Sequence, residues 1–61
     1  MNVSIKLECS NEAFDGANGG EIARILRKLA DKIDGTDVAD RSIALCDING
    51  NVVGEFKATG D

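Results

Sequence analysis

The sequence predicts a small α+β domain with the element order β-α-β-β, a three-stranded sheet with one helix packed on one face. Three observations carry this. Val3, Ile5, Leu7 and Cys9 alternate with Ser4, Lys6 and Glu8. Ile22, Ile25, Leu26, Leu29, Ala30 and Ile33 recur at helical spacing. Asn49-Gly50 separates two apolar runs. A period of two marks a half-buried strand, a period of 3.6 an amphipathic helix, and Asn-Gly between apolar runs a hairpin.

The first strand is expected over Val3 to Cys9. Ser10 to Gly20, with its "DGANGG" run, is expected as loop, and Phe14 as the one large apolar residue that folds back over an end of the core. The helix "EIARILRKLADKI" follows. Its apolar stripe needs a cover, and Arg24, Arg27, Lys28, Asp31 and Lys32 take the opposite face. Glu21 and Lys32 match the signs of the helix dipole, Gly35 fits the left-handed residue after a helix, and Arg27 and Asp31 are spaced to pair. After a polar loop, Ser42 to Ile48 and Val52 to Thr59 form a hairpin. If the first strand lies beside the second, the crossover is parallel and right-handed; if it lies beside the third, the pairing is antiparallel.

The stretch "CDINGN" allows two hairpin registers. A two-residue type I′ loop at Asn49-Gly50 pairs Leu45 with Gly54 and Ile43 with Phe56. Val52 then faces inward, and Ala44, Cys46 and Val53 outward. A type I turn that begins at Asp47 and ends with Gly50 in a bulge slips the register by one. The same stretch is not a calcium loop. Counting from Asp47, the sixth position is Val52 where glycine is required, and the twelfth is Ala58 where a bidentate acid is required.

Composition narrows the chemistry. The 61 residues form one domain, 1–61, and contain no His, Tyr or Trp. That removes the commonest general base and metal ligand, so no enzymatic activity, cofactor or metal is expected. "GANGGE" lacks the Gly-Lys-Ser/Thr of a phosphate loop. Net charge −4 argues against direct nucleic-acid binding and against an anionic membrane surface. It is modest for a mimic of nucleic acid. With no apolar run long enough to span a bilayer and no visible export signal, the expected location is the cytoplasm. Cys9 and Cys46 read as free thiols, bridged only if their strands are neighbours.

The charges are segregated. Arg24, Arg27, Lys28 and Lys32 make a basic strip, and Asp34, Asp37 and Asp40 follow it. These seven are the candidate partner-binding residues, read against a simpler reading in which they are a solvated face. The sheet's uncovered face and free edges are a second candidate surface, for another copy of the chain or a target.

"EIARILRKLADKI" and "LCDINGNVVGEF" together resemble a group of very short phage- and prophage-encoded proteins that join an Ile/Val-Ala-Arg-Ile-Leu-Arg helix to an Asp-x-Asn-Gly-Asn-x-Val-Gly turn. The resemblance spans residues 21 to 56. It implies a phage accessory protein. It carries no catalytic residue, because the group has no assigned activity. Small acidic phage proteins of this kind often inhibit host defence, anti-CRISPR proteins among them. The resemblance therefore implies a non-enzymatic inhibitor that binds a bacterial host protein, with a homodimeric structural or assembly accessory protein as the alternative.

Overall fold

In the computed structural model, which describes residues 1–60, the chain forms strand β1 (Asn2–Leu7), a 3-10 turn (Glu12–Phe14), helix α1 (Asn18–Ile33), strand β2 (Ser42–Cys46) and strand β3 (Val52–Thr59). The sheet order is β1-β3-β2 and both pairings are antiparallel. The small α+β architecture expected from the sequence is therefore the one observed, with the first strand beside the third. This placement puts β1 and β2 on opposite edges. β1 ends at Leu7, so Cys9, expected as its last residue, lies in the loop beyond it, while Cys46 ends β2; both cysteines are free and exposed.

Helix α1 begins at Asn18, three residues before the expected start at Glu21. The N–H of Ile22, first residue of the stripe, needs an acceptor four residues back, which is Asn18. The first turn must therefore form despite Gly19 and Gly20. Ala17 supplies no side-chain cap, and the Ala17 carbonyl accepts from Gly20 N at 3.2 Å. Gly35 takes φ +77 just past the helix end, as expected. The anticipated Arg27–Asp31 pair is not formed; the helix ion pair is Arg24–Glu21.

Ile25 and Leu29 of α1 are buried against Ile43 and Leu45 of β2 and Val53, Phe56 and Ala58 of β3, with Phe14 closing one end. Leu7, Ala13, Ile22, Ile33 and Val38 pack around them, partly buried. In the ladder, Val3, Ile5 and Leu7 lie opposite Ala58, Phe56 and Gly54, so they point to the helix side. Yet Val3 is 51% and Ile5 47% exposed. The helix covers the β2–β3 half of the sheet and leaves the β1 half open.

The hairpin combines the two expected registers. Gly50 N donates to Asp47 O at 3.0 Å and Asp47 N to Asn51 O at 2.9 Å, with Gly50 at φ +85. That is the type I turn from Asp47, whose fourth residue needs the left-handed region that glycine adopts freely. Further along, Ile43 faces Phe56 and Leu45 faces Gly54, which is the type I′ register. A bulge between Leu45 and Cys46 reconciles them, because Cys46 pairs with Val52 and Val53 is the extra residue. The bulge turns Val53 into the core and leaves Val52 69% exposed. The outward Val53 and inward Val52 of the simple two-residue loop are therefore reversed. The outer face keeps only Ala44 and Cys46 of its expected apolar group. The turn also takes Asp47 and Ile48 out of β2, so that strand stops at Cys46.

Gly54 is required for a different reason. β1 passes so close that a Cβ there would collide with the Lys6 carbonyl oxygen. This oxygen belongs to the β1–β3 ladder, so it can give way only if β1 moves off β3. Gly54→Ala is expected to separate β1 from β3 and lower the thermal midpoint severely. Leu29→Ala, which opens a cavity under the helix, is expected to cost about 2–5 kcal/mol. In a domain of this size that lowers the midpoint by roughly 10 °C or more. Thermal melts followed by circular dichroism measure both; an unchanged midpoint in Gly54→Ala contradicts the close approach.

Candidate interaction surface

The sequence's basic strip divides into three parts in space. Arg24 is half-exposed and tied to the fold by its hydrogen bonds. Its Nε donates to Glu21 Oε1 at 2.7 Å and its Nη2 to Glu21 Oε2 at 3.1 Å, and Nη2 also reaches the Cys46 carbonyl at 3.3 Å. Glu21 Oε2 in turn accepts from Ile48 N at 2.8 Å. This cluster fastens the first turn of α1 to the hairpin. The hydrogen bond from Arg24 holds Glu21 below its ordinary 4.5, and the Ile48 amide adds to that against the opposing effect of burial. The same bond to Glu21 raises Arg24. Arg24 therefore ties helix and hairpin together, a structural role that its place in the expected strip did not show.

Lys28 and Lys32 lie one turn apart on the flank of α1 that overhangs β2. With Ile25, Leu29 and residues 43–46 they line an open groove of about 140 Å³. Neither lysine has an ion-pair or hydrogen-bond partner among the described residues. Arg27 is exposed, and its helical position turns it away from this groove. Of the acids, Asp37 accepts from Ala39 N at 3.1 Å and Asp40 from Gly60 N at 2.9 Å. Asp40 also sits at φ 62, which Asp tolerates better than most residues. These two shape the α1–β2 loop and its tie to the end of β3. Of these three acids Asp34, at the helix end, keeps its carboxylate free of such bonds among the described residues.

A second polar centre was hidden in the sequence. Asp47 is 4% exposed. Its Oδ1 accepts from Asn49 N and Asn51 N, both at 2.9 Å, and its Oδ2 from Asn11 Nδ2 at 2.8 Å and Asn51 Nδ2 at 3.2 Å. Asn11 also caps the 3-10 turn through Ala13 N at 2.9 Å. Burial by itself pushes the Asp47 carboxyl up. The N–H groups of Asn51, Asn11 and Asn49 outweigh it and hold the group below its ordinary 3.8. Four donors leave this carboxylate satisfied as a structural group. Among the described residues no group of three or more His, Cys, Asp or Glu is arranged to hold a metal.

The backbone along β2 completes the surface. Ala58 N donates to Arg41 O at 2.9 Å. Antiparallel pairing alternates, so Ile43 and Leu45 also turn their backbone groups toward β3, and Ser42, Ala44 and Cys46 turn theirs outward. Arg24 covers the outward Cys46 carbonyl. The edge at Ser42 and Ala44 is open, directly beneath the lysine flank. No family model, curated protein or solved structure matches the chain. No helix among the described residues is long and apolar enough to cross a membrane.

The two lowered carboxylates fix the sign of an acid response. Each folded value lies below the unfolded one, so the stability they give is complete above about pH 4.5 and is lost as pH falls through the ordinary values, 4.5 and 3.8, into the folded ones. Thermal midpoints measured between about pH 6 and about pH 2.5 are expected to fall in that window. The fall should be shallower in a Glu21→Gln/Asp47→Asn double variant; an equally steep fall contradicts the assignment.

Proposed function

We propose that this chain is a non-enzymatic binding protein, encoded by a phage, that works in the host cytoplasm by docking on a bacterial defence protein and inhibiting it. An anti-CRISPR or similar anti-defence role fits this reading. The observation that carries the binding role is the pair of lysines, without a partner among the described residues, above an apolar groove and an open strand edge. A small domain gains nothing in stability from two isolated surface ammonium groups. Placed beside desolvated aliphatic surface, they suit recognition of an opposite charge. The phage context is supported by the resemblance of residues 21 to 56 to short phage and prophage proteins. A surface of this kind inhibits by occupying a site the target needs for something else.

Expression of the chain in a bacterium with an active defence system is expected to restore plating of the phage that system excludes. Lys28→Glu/Lys32→Glu is expected to lose this protection with an unchanged melting curve. Restoration by the double variant removes the lysine flank from the interface, and failure of the parent chain across defended hosts removes the inhibitor reading. Charge reversal at Arg24 is unsuitable as a test, since it breaks the tie between helix and hairpin.

A second reading is favoured by a separate observation. Val3 and Ile5 are exposed on the helix side of β1, itself a free edge, and Leu26 on α1 is 38% exposed. These residues suit a homodimer formed through β1, as in a structural or assembly accessory protein. Sedimentation at micromolar concentration distinguishes the two: a dimer disrupted by Ile5→Lys supports this reading, and a monomer opposes it.

A further inference from the structure

The open edge of β2 and the lysines above it have matching repeats. Lys28 and Lys32 are four residues apart on a helix, a rise of about 6 Å. Alternate residues of an extended strand are about 6.6 Å apart and point to the same side. A strand laid against Ser42 and Ala44 would thus bring two alternate side chains under the two ammonium groups. The groove between α1 and β2 is lined by successive turns of the helix and by four consecutive strand residues, so it follows both elements.

We propose that β2 receives an extended acidic segment of the partner protein as a fourth strand. Its backbone pairs with the outward N–H and C=O groups of Ser42 and Ala44, and acids at alternate positions meet Lys28 and Lys32. This rests on the binding reading above and names the chemistry of its partner. The choice of occupant follows from charge. Residues 42–46 carry no charge, so the strand edge neither repels nor selects. The selection comes from the lysines alone, and they disfavour a basic segment or a second copy pairing through β2, whose own lysine flank would approach them. The register has a natural stop at one end. Arg24 already donates to the Cys46 carbonyl, which closes the edge beyond Ala44. Backbone pairing supplies the affinity in such strand addition, and side chains at alternate positions supply the specificity.

The test uses the full chain and a capped peptide of about eight residues, a length that spans β2 with margin. It alternates glutamate with valine or threonine, and binding is followed by amide chemical shifts. The expected result is perturbation centred on Ser42, Ala44, Lys28 and Lys32, with the amide of Ala44 gaining protection from exchange. Lys28→Gln/Lys32→Gln should weaken binding by about fivefold, the loss of two exposed ion pairs. N-methylation of the peptide at alternate amides keeps the test independent of the protein's folding. Methylating the set that faces β2 should abolish binding, and methylating the other set should leave it. Equal effects of the two sets, equal binding of a glutamine-for-glutamate peptide, or preferential binding of a single-stranded oligonucleotide overturns the proposal. An affinity for the acidic peptide left unchanged in Lys28→Gln/Lys32→Gln overturns it too, while leaving the inhibitor reading intact.

Discussion

A single helix cannot cover three strands, and most of this structure follows from that. An α-helix with its side chains is about 10 Å wide, and strands lie about 4.8 Å apart, so one helix shields about two of them. Here the shielded pair is β2 and β3. Ile25 and Leu29 enter the core with Ile43, Leu45, Val53, Phe56 and Ala58, and Phe14 from the 3-10 turn fills the end the helix does not reach. β1 keeps its apolar face but not a lid. In a domain of this length, which buries only about 60% of its unfolded surface, such incomplete cover is expected and leaves contact surface for another molecule.

The off-centre helix needs fixing, and two polar clusters at the hairpin do so. Glu21 and Arg24 hold the start of α1 to Ile48 N and Cys46 O. Asp47 gathers Asn11, Asn49 and Asn51, which joins the loop before the helix to the turn after β2. The bonds that join these groups link residues up to 36 apart in the chain. The middle of α1 is consequently set over β2, and its exposed lysine flank lines the groove beside the strand edge. Stability at one end of the fold and exposure of the candidate surface along its side are two results of one placement.

Much of this was legible in the residues. Period-two and period-3.6 patterns are local, and they gave β1, α1 and β3 with small errors at their ends. The role of Phe14 as a lid followed from its being the one large apolar residue in a polar loop. What was not legible depends on distant partners. The hairpin's register needed the turn chemistry of Asp47 together with a bulge at Val53, whereas the residues alone offered a type I′ loop and a type I turn with Gly50 as the bulge as alternatives. Asn11 carries no local mark of its bond to Asp47. Arg24 belonged to the same charged stripe as Lys28 and Lys32, and only the fold separates the arginine that bonds to Cys46 O from the lysines that have no partner among the described residues. Asp37 and Asp40, read as candidate contacts, prove to hold a loop and the end of β3.

Residue-resolved hydrogen exchange of the free protein tests the central placement most directly. If α1 overhangs an unpaired β2 edge, the amides of Ile43 and Leu45 are protected by β3 while those of Ser42 and Ala44 between them exchange freely. Uniform protection along residues 42–45 would mean that another strand already occupies that edge, and the surface argued for here would not exist.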